Sequence, residues 1–159
     1  MLRDLTLADA LQVVAGMRPE DAACVRAVCG CEPGEWFAVE RWQSSGPAWV
    51  LDQHGQAVAI GGLNFTNDWT GVLWMVARPG MSPASWRKAL RATRTVIGNA
   101  LALDNSLRRH RVEAHVLHGW SGASNFAGRL GLQLEGIKRA AGAGGESIEV
   151  WAVTARPKE

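Results

Sequence analysis

Tyrosine is absent from this sequence of 159 residues, although tryptophan occurs eight times. No phenol can therefore act as a general acid in a reaction that this chain performs. Cysteine is scarce as well: Cys24, Cys29 and Cys31 are odd in number and clustered, and none of the four histidines lies at metal-ligand spacing from them. This pattern favours reduced thiols over a metal or redox site, and no metal ligands are predicted.

Long apolar runs are also missing. No stretch approaches the roughly 18 to 20 uninterrupted apolar residues of a membrane span, and the first residues lack the basic-then-apolar order of a signal peptide. With 47% hydrophobic residues and no low-complexity tail, residues 1–159 are expected to form one globular domain with its own core. The sequence predicts a soluble, cytoplasmic protein without a membrane contact.

Net charge is only +2, but it is unevenly distributed. Residues 1–77 hold 4 Lys or Arg against 9 Asp or Glu, whereas residues 78–111 hold 8 against 1. Such a basic block suits a phosphate-rich ligand, either a nucleotide cofactor or a nucleic acid, and a solvated helix face is the alternative. Nucleic acid is the less favoured ligand, because no aromatic residues are interleaved with the basic ones on the exposed face of the predicted helix.

The stretch from Gly71 to Leu103 organises the predicted fold. Gly71–Ala77 is apolar and bounded by glycine, which is typical of a buried strand, and a break rich in Pro, Gly and Ser follows it. Ser82 is predicted to cap the next helix, with Pro83 at the first helical position. A strand that runs through a tight turn into a helix directs several amides and the positive helix end at one point. That point suits a phosphate.

Shorter patterns fill the rest of the chain. Helices are predicted from Thr6 or Asp9 to Met17, over Pro19–Cys29 and over Gly122–Leu130 with Ser121 as its cap, while Glu35–Trp42 is either a short helix or an extended lid. Strands are predicted at Leu2–Thr6, Ala48–Leu51, Ala57–Ile60 or its extension to Phe65, Arg111–Leu117, Leu132–Ile137 and Ile148–Val153. The sum is a mixed α/β arrangement with a meander, one long crossover helix and a closing strand pair.

This order of elements resembles the GNAT superfamily of acyl-CoA N-acyltransferases over essentially the whole chain. The fold class it implies is α/β, a GNAT-like mixed, mostly antiparallel central sheet flanked by helices. In that superfamily a glycine-rich loop holds the coenzyme A pyrophosphate at the start of a long helix, and Val76–Leu90 matches the segment in length. The family's arginine or glutamine and its paired glycines fall here on Met81, Ser82 and Ala84, and Trp86 stands where a small residue is usual.

The second part of the resemblance lies in Val116–Leu132. Trp120 stands where the family often has an asparagine that contacts the cofactor, and Ala127 stands where it often has the tyrosine that protonates the departing thiolate. The start of the chain, together with Trp74, resembles a phage-encoded branch of the superfamily related to podovirus internal virion proteins. The phosphate loop is often altered in that branch.

The resemblance implies acetyl-CoA as the cofactor and an amine as the acceptor. An amide in Trp74–Val76 would polarise the thioester if that strand splays from its neighbour, and arginine or lysine would supply charge for the phosphates. The implied cofactor-binding residues are Trp74, Met75, Val76, Arg78, Gly80, Met81, Ser82, Arg87, Lys88 and Trp120.

Acyl transfer to an amine also needs a base and a proton source for the thiolate. The base is expected to be Glu113, His115 or His118, with Glu40 and Asp68 as alternatives in loops. His118 is favoured because it lies at a strand end, where a side chain that titrates near neutral pH reaches the substrate. Glu113 and His115 share one face of their strand, so a structural ion pair is their alternative role. Ser124 or a water would replace the missing tyrosine, which gives His118, Glu113 and Ser124 as the predicted catalytic set.

Two functions from different classes follow. The first is an acyl-CoA-dependent N-acyltransferase, specifically an N-acetyltransferase with an unknown amine acceptor. The second is a non-catalytic GNAT-like phage protein that acts in virion assembly or in the inhibition of a host protein. The second function predicts a specific protein partner or a homodimer, located in the host cytoplasm or in the virion.

Overall fold

The computed structural model of the protein describes residues 2–102 and 110–155. Within these ranges the chain forms five helices and seven strands. The helices are α1 (Leu7–Ala15), α2 (Pro19–Cys29), α3 (Glu35–Trp42), α4 (Pro83–Leu101) and α5 (Ser121–Arg129). The strands are β1 (Leu2–Asp4), β2 (Ala48–Gln53), β3 (Gln56–Phe65), β4 (Thr70–Ala77), β5 (Arg111–Leu117), β6 (Gln133–Lys138) and β7 (Ile148–Thr154). Residues 35–42 form the predicted short helix, α3, and the alternative prediction of an extended lid is wrong.

All seven strands belong to one sheet, in the order β1-β2-β3-β4-β5-β7-β6. Every neighbouring pair is antiparallel except β4 and β5, which are parallel. A parallel pair needs a long crossover connection, and α4 provides it. The predicted mixed, mostly antiparallel sheet flanked by helices is therefore confirmed.

The parallel pair of strands is paired over half of its length. The register of β4 with β5 joins Thr70–Leu73 to Arg111–Ala114 and ends there. Beyond that point β4 stays paired with β3 as far as Ala77, and β5 stays paired with β7 as far as Leu117. The two strands thus part near the middle of the sheet, which leaves a wedge between them.

Apolar side chains cover both faces of the sheet. On one face Val50, Ile60 and Val76 pack with Val13 of α1 and Phe37 of α3. On the other face, two clusters place α4 against the sheet; their members include Leu51, Ala77 and Ala89 in the first and Leu63, Ile97 and Val112 in the second. Since alternate residues of a strand face opposite sides, this packing fixes the face of each β4 residue.

Local capping explains where the helices begin. Thr6 caps α1 through a capping box with Asp9, and Ser82 caps α4 through its side chain with Pro83 next, as predicted. The predicted cap of α5 is wrong. Trp120 occupies the N-cap position without a side-chain bond, and Ser121 is already helical. The carbonyl of Trp120 accepts the first helical hydrogen bond, from the amide of Ser124 at 3.2 Å.

Two sequence predictions fall partly or wholly on residues that the structure does not describe. The basic block continues into residues 103–109, which lie outside the described residues, and the predicted connector after α4 lies there as well.

Within the described ranges, no helix combines the length and the apolar character that a membrane span requires. The three cysteines are free thiols.

Candidate functional site

A cavity of about 690 Å³ opens where β4 and β5 part. Its walls come from residues 72–76 of β4 and 114–116 of β5, and from side chains of α2, α3, α4 and α5. Because those helices lie on both faces of the sheet, the cavity passes through the wedge from one face to the other. A ligand on one face can therefore meet a ligand on the other face at the sheet itself.

The cavity has two chambers. The α2/α3 chamber is lined by Asp21, Cys24, Val25, Val28, Cys29, Phe37, Arg41 and Trp74. The α4/α5 chamber is lined by Met75, Pro83, Trp86, Arg87, Leu90, Trp120, Ala123, Asn125 and Phe126. The first combines charged side chains and thiols with apolar side chains, whereas the second is mostly apolar and aromatic.

Aromatic rings and one arginine shape the α4/α5 chamber. Trp86 meets Phe126 edge to face, with ring centres 5.9 Å apart. The guanidinium of Arg18 lies 4.9 Å from the ring centre of Trp86 and 5.6 Å from that of Trp120. These distances are those of cation–π contacts, so Arg18 ties the start of α2 to both helices of this chamber.

Arg18 and Asp21 also fix the free edge of β4. The carbonyl of Ala77 accepts a hydrogen bond from the amide of Arg18 at 2.9 Å, and the amide of Ala77 donates to Asp21 Oδ2 at 3.2 Å. Arg18 Nε donates to the same carboxylate at 2.6 Å. Burial raises the pKa of Asp21, although the Arg18 hydrogen bond and charge oppose that shift.

The geometry at Ala77 shows which backbone groups face the wedge. The amide of Arg78 donates to Val58 of β3, so the neighbouring Ala77 groups face the opposite edge. Backbone groups two residues apart along a strand face the same edge, which places the N–H of Met75 on the edge where the strands part. β4 therefore separates from β5 at Trp74–Val76, as the sequence-based proposal for this segment requires.

The turn before α4 is partly occupied by the chain's own side chains. Gln53 Oε1 accepts hydrogen bonds from the Ser82 amide at 2.9 Å and the Ser85 hydroxyl at 2.7 Å. Gln53 Nε2 donates to the carbonyl of Gly80 at 3.1 Å, and the Ser85 amide donates to Ser82 Oγ. Two of the amides expected to receive a phosphate therefore already have partners.

The sequence-predicted cofactor residues fall into two groups. Trp74, Met75, Val76, Arg87 and Trp120 line the cavity. The others, Arg78, Gly80, Met81, Ser82 and Lys88, belong to the turn and the first turns of α4 and do not line it. Arg78 lies beside α1: a β-carbon added to Gly16 would stand 2.9 Å from its Nε atom.

The predicted catalytic residues are not gathered at one point. His118 is exposed, follows β5 and does not line the cavity. His115 does line it, and its Nε2 lies 3.0 Å from Glu113 Oε1. Glu113 also accepts a hydrogen bond from Arg111 at 2.7 Å. Burial acts to raise the pKa of Glu113, but the Arg111 hydrogen bond and the charge of His115 outweigh it, so the pKa is lowered.

Ser124 has a partner of its own. Its hydroxyl lies 2.9 Å and 3.0 Å from the two carboxylate oxygens of Glu149, a side chain of β7 that is 6% exposed. Since a carboxylate can only accept, the Ser124 proton is directed at Glu149 and away from the cavity. Ala123 and Asn125 line the α4/α5 chamber, whereas Ser124 does not.

Three site residues were missed by reasoning from the sequence. The sequence places Arg18 in the break after the first predicted helix and Asp21 among the acids that start the second, and nothing local reveals that both bond to Ala77. Arg41 had no signal beyond one basic residue in a short helix. Arg18 and Asp21 bond to Ala77, and Arg41 lies against Trp74, so each of the three contacts a strand that is distant along the chain.

Solved structures of known proteins share this architecture. An acetyltransferase of the GNAT family from Bacillus anthracis has a TM-score of 0.69 at 12% identity, covering 96% of this chain and 93% of its own. YncA from Salmonella typhimurium, determined with its cofactor acetyl-CoA, has a TM-score of 0.73 at 10% identity, covering 99% and 95%. A ribosomal-protein-alanine N-acetyltransferase from Brucella melitensis has a TM-score of 0.69 at 12% identity, covering 97% of this chain and 99% of its own.

At identities of 10% to 12% this likeness establishes the fold and no more. The chain has the GNAT fold, as the resemblance implied. Neither a protein-family model nor a curated protein sequence matches the chain. The phage-encoded branch of the resemblance gains no support from these structures and stays a sequence-based expectation.

Proposed function

We propose that this protein is an acyl-CoA-dependent N-acyltransferase that uses acetyl-CoA as donor and an amine as acceptor. One observation carries the proposal: β4 and β5 are paired only as far as Leu73 and Ala114, and the cavity beyond passes through the sheet. A donor on one face and an acceptor on the other then meet between the strands. Holding two reactants in this way lowers the entropic part of the barrier.

The α4/α5 chamber is the proposed donor site. Its residues fit an acyl-CoA, because apolar and aromatic walls suit the pantetheine arm while Arg87 in the cavity wall and the adjacent Lys88 suit phosphates. The turn fits less completely, since Gln53 holds the Ser82 amide. Gly80 retains open space around it, at a φ of 86°. We therefore assign phosphate recognition mainly to the two side chains.

When bound, an acyl-CoA supplies a thioester carbonyl for attack by the amine. The N–H of Met75 faces the parted edge of β4, and a backbone amide fixed in a sheet stabilises developing negative charge on an oxygen without having to reorganise. Trp74 and Val76 face the α1/α3 cluster and form the wall on the acceptor side. These roles are the ones proposed for the Trp74–Val76 segment.

His115 is the proposed base. It lines the cavity and is oriented by Glu113, which Arg111 holds in turn. A base oriented by a carboxylate is a recurring arrangement for taking a proton from a nucleophile. The sequence favoured His118, whose exposed position outside the cavity wall gives it no path to an amine in the α2/α3 chamber.

For the proton that the departing thiolate takes up, we propose a water in the cavity rather than Ser124. The Ser124 hydroxyl donates to Glu149, and Ser124 does not line the cavity. Cytoplasmic location, the acceptor and any homodimer or protein partner stay predictions.

Calorimetric titration with acetyl-CoA tests the proposal, with desulfo-CoA and ADP as probes of the phosphate contribution. We expect micromolar binding and release of free thiol when an amine panel is added. Arg87→Met should weaken binding, whereas Arg91→Met, an exposed position of the same helix outside the cavity wall, should not. Absence of binding by all three ligands would contradict the proposal.

A non-catalytic role is the second candidate, and one observation favours it. Arg18 and Asp21 occupy the backbone groups of Ala77 on the parted edge of β4, and Gln53 occupies the Ser82 amide in the turn where a phosphate is expected. A virion assembly protein or an inhibitor of a host protein would bind a protein partner and turn over no acetyl-CoA with any amine. The same titration separates the two candidates.

A further inference from the structure

Arg41 is a half-buried cation whose recorded ion pair, with Glu40, is long. Its side chain is 12% exposed, and its nearest carboxylate, Glu40, lies 3.6 Å away on a side chain that is 44% exposed. That separation is longer than a hydrogen bond. Arg41 Nε is buried without a hydrogen-bond partner, and the guanidinium carbon lies 5.4 Å from the ring centre of Phe37. The Nη atoms are not among the enclosed ones, so they are the part of the side chain that a ligand can reach. Burying an arginine in this way costs free energy that a bound anion would offset.

A second donor without a partner lies beside it. Among the described residues, four buried side-chain atoms have no hydrogen-bond partner: Arg41 Nε, Ser44 Oγ, Trp74 Nε1 and Trp151 Nε1. Arg41 and Trp74 line the same chamber, and the guanidinium carbon lies 5.6 Å from the Trp74 ring centre. Ser44 and Trp151 do not line this cavity. Trp74 Nε1 is enclosed by the protein, so Trp74 offers its ring to the chamber, and the Arg41 guanidinium is the group that can bind an anion there.

The chamber does not supply that anion from its own side chains. The carboxylate of Asp21 is engaged by Arg18 at 2.6 Å and by the Ala77 amide. Cys29 feels the charge of Arg41, but burial dominates and raises the pKa of this thiol, so it stays neutral. The positive charge of Arg41 is therefore left for a ligand.

We infer that Arg41, which lies against the Trp74 ring, binds a carboxylate of the acceptor, so that the acceptor is a small amine that also carries a carboxylate. This inference rests on the proposed function, whose substrate class it names. A guanidinium recognises a carboxylate through parallel hydrogen bonds. Val25, Val28 and Phe37 supply apolar walls for the body of the molecule, and His115 stands at the β5 wall for its amine.

Binding of matched ligand pairs tests the inference without any turnover. The probes are leucine with 3-methylbutylamine, phenylalanine with 2-phenylethylamine, and 6-aminohexanoate with pentylamine, so that each pair differs by the carboxylate. Each is titrated into the purified protein by calorimetry, and acetyl-CoA is titrated separately. We expect at least one amino carboxylate to bind about tenfold to a hundredfold more tightly than its amine, the range expected for a hydrogen bond to a charged group.

Two variants test which side chain produces the preference for the carboxylate. Arg41→Met keeps an apolar stem of similar length and should abolish the preference for the carboxylate. Trp74→Phe keeps a ring beside the guanidinium and removes an N–H that a ligand cannot reach, so it should change the preference by no more than about twofold. The matched controls are Arg91→Met on the exposed side of α4 and Trp151→Phe, which removes an equally unpartnered indole N–H outside this cavity. Circular dichroism and thermal unfolding test whether each variant is folded. If Arg41→Met does not fold, Arg41→Lys takes its place.

The outcomes separate this inference from the proposed function. Acetyl-CoA binding together with amines that bind as tightly as their amino carboxylates would overturn the inference alone. A preference that survives Arg41→Met would overturn it as well, as would absence of binding by every probe. Loss of acetyl-CoA binding with an Arg41-dependent preference intact would remove the acyltransferase proposal and keep the carboxylate site.

Discussion

The carboxylate of Asp21 accepts a hydrogen bond from the amide of Ala77, a residue 56 positions further along the chain. This bond joins the first turn of α2 to the last residue of β4. It also holds the edge of β4 beside the mouth of the cavity, together with the bond from the Arg18 amide to the Ala77 carbonyl. The position of α2, and with it the shape of the α2/α3 chamber, depends on this contact.

Replacing Asp21 should destabilise the fold by an amount that depends on the substitute. Asp21→Ala leaves the Ala77 N–H and the Arg18 guanidinium without their acceptor and should cost about 3 kcal/mol. Asp21→Asn keeps an oxygen for the amide and avoids burying a charge, so it should cost about 1 kcal/mol. Urea unfolding measures both, and equal losses would contradict the importance of the Ala77 bond.

Gln53→Glu should weaken binding of acetyl-CoA. The substitution keeps an oxygen for Ser82 and Ser85 but removes the donor to Gly80 and adds a negative charge beside the proposed phosphate site. We expect about a tenfold loss of affinity, which added salt partly reverses. N-acetylcysteamine acetyl thioester has no phosphate and should bind equally to both proteins. Gln133→Glu, an exposed change at the start of β6, is the control.

His115 and His118 can be distinguished by their effects on turnover. His115→Ala should reduce kcat by about 10²-fold to 10⁴-fold, the usual contribution of a general base, while acetyl-CoA affinity stays the same. His118→Ala should leave kcat within about twofold, because this side chain is exposed and outside the cavity wall. The reverse pattern would favour the sequence-based choice of His118.

Gly61 is required because Trp49 occupies the space above it. A β-carbon at Gly61 would stand 2.5 Å from Cζ2 of the Trp49 ring, which is 6% exposed and cannot easily move. Gly61→Ala should cost about 1–3 kcal/mol of unfolding free energy, as overpacking does. In combination with Trp49→Phe the total loss should be smaller than the sum of the two single losses. Gly136→Ala, a strand position with nothing within 4 Å, should be nearly neutral.

Stability should fall in acid through Asp9. The hydrogen bonds from Arg3, at 2.6 Å and 2.8 Å, are the main reason that the pKa of Asp9 is lowered to about 2, and Thr6 adds to the effect. A lowered carboxyl pKa stabilises the fold above the unfolded value of 3.8, and this stability is lost as the pH falls towards 2. We expect a loss of about 1–2 kcal/mol over that window. Asp9→Asn should be less stable than the unsubstituted protein at pH 7. Its free energy of unfolding should change less between pH 3.8 and pH 2.

The sequence by itself determined the elements and their order. Ser82 and Pro83 mark the start of α4, Thr6 and Asp9 mark the start of α1, and Pro19–Cys29 is a helix with the predicted bounds. Such signals are local, because a cap or a proline acts on the turn of helix beside it. Apolar runs and their breaks likewise placed β4 and β5, and the order of elements predicted the mixed sheet.

The tertiary structure decided how the site is built. It placed Gln53 on the Ser82 amide, Asp21 on Ala77 and Arg41 beside Trp74, and it turned His115 rather than His118 towards the cavity. These contacts join residues that lie far apart along the chain, so no local pattern carries them. A buried hydrogen bond or an unpartnered charge depends on the packing of whole elements against one another. Only the folded chain fixes that packing.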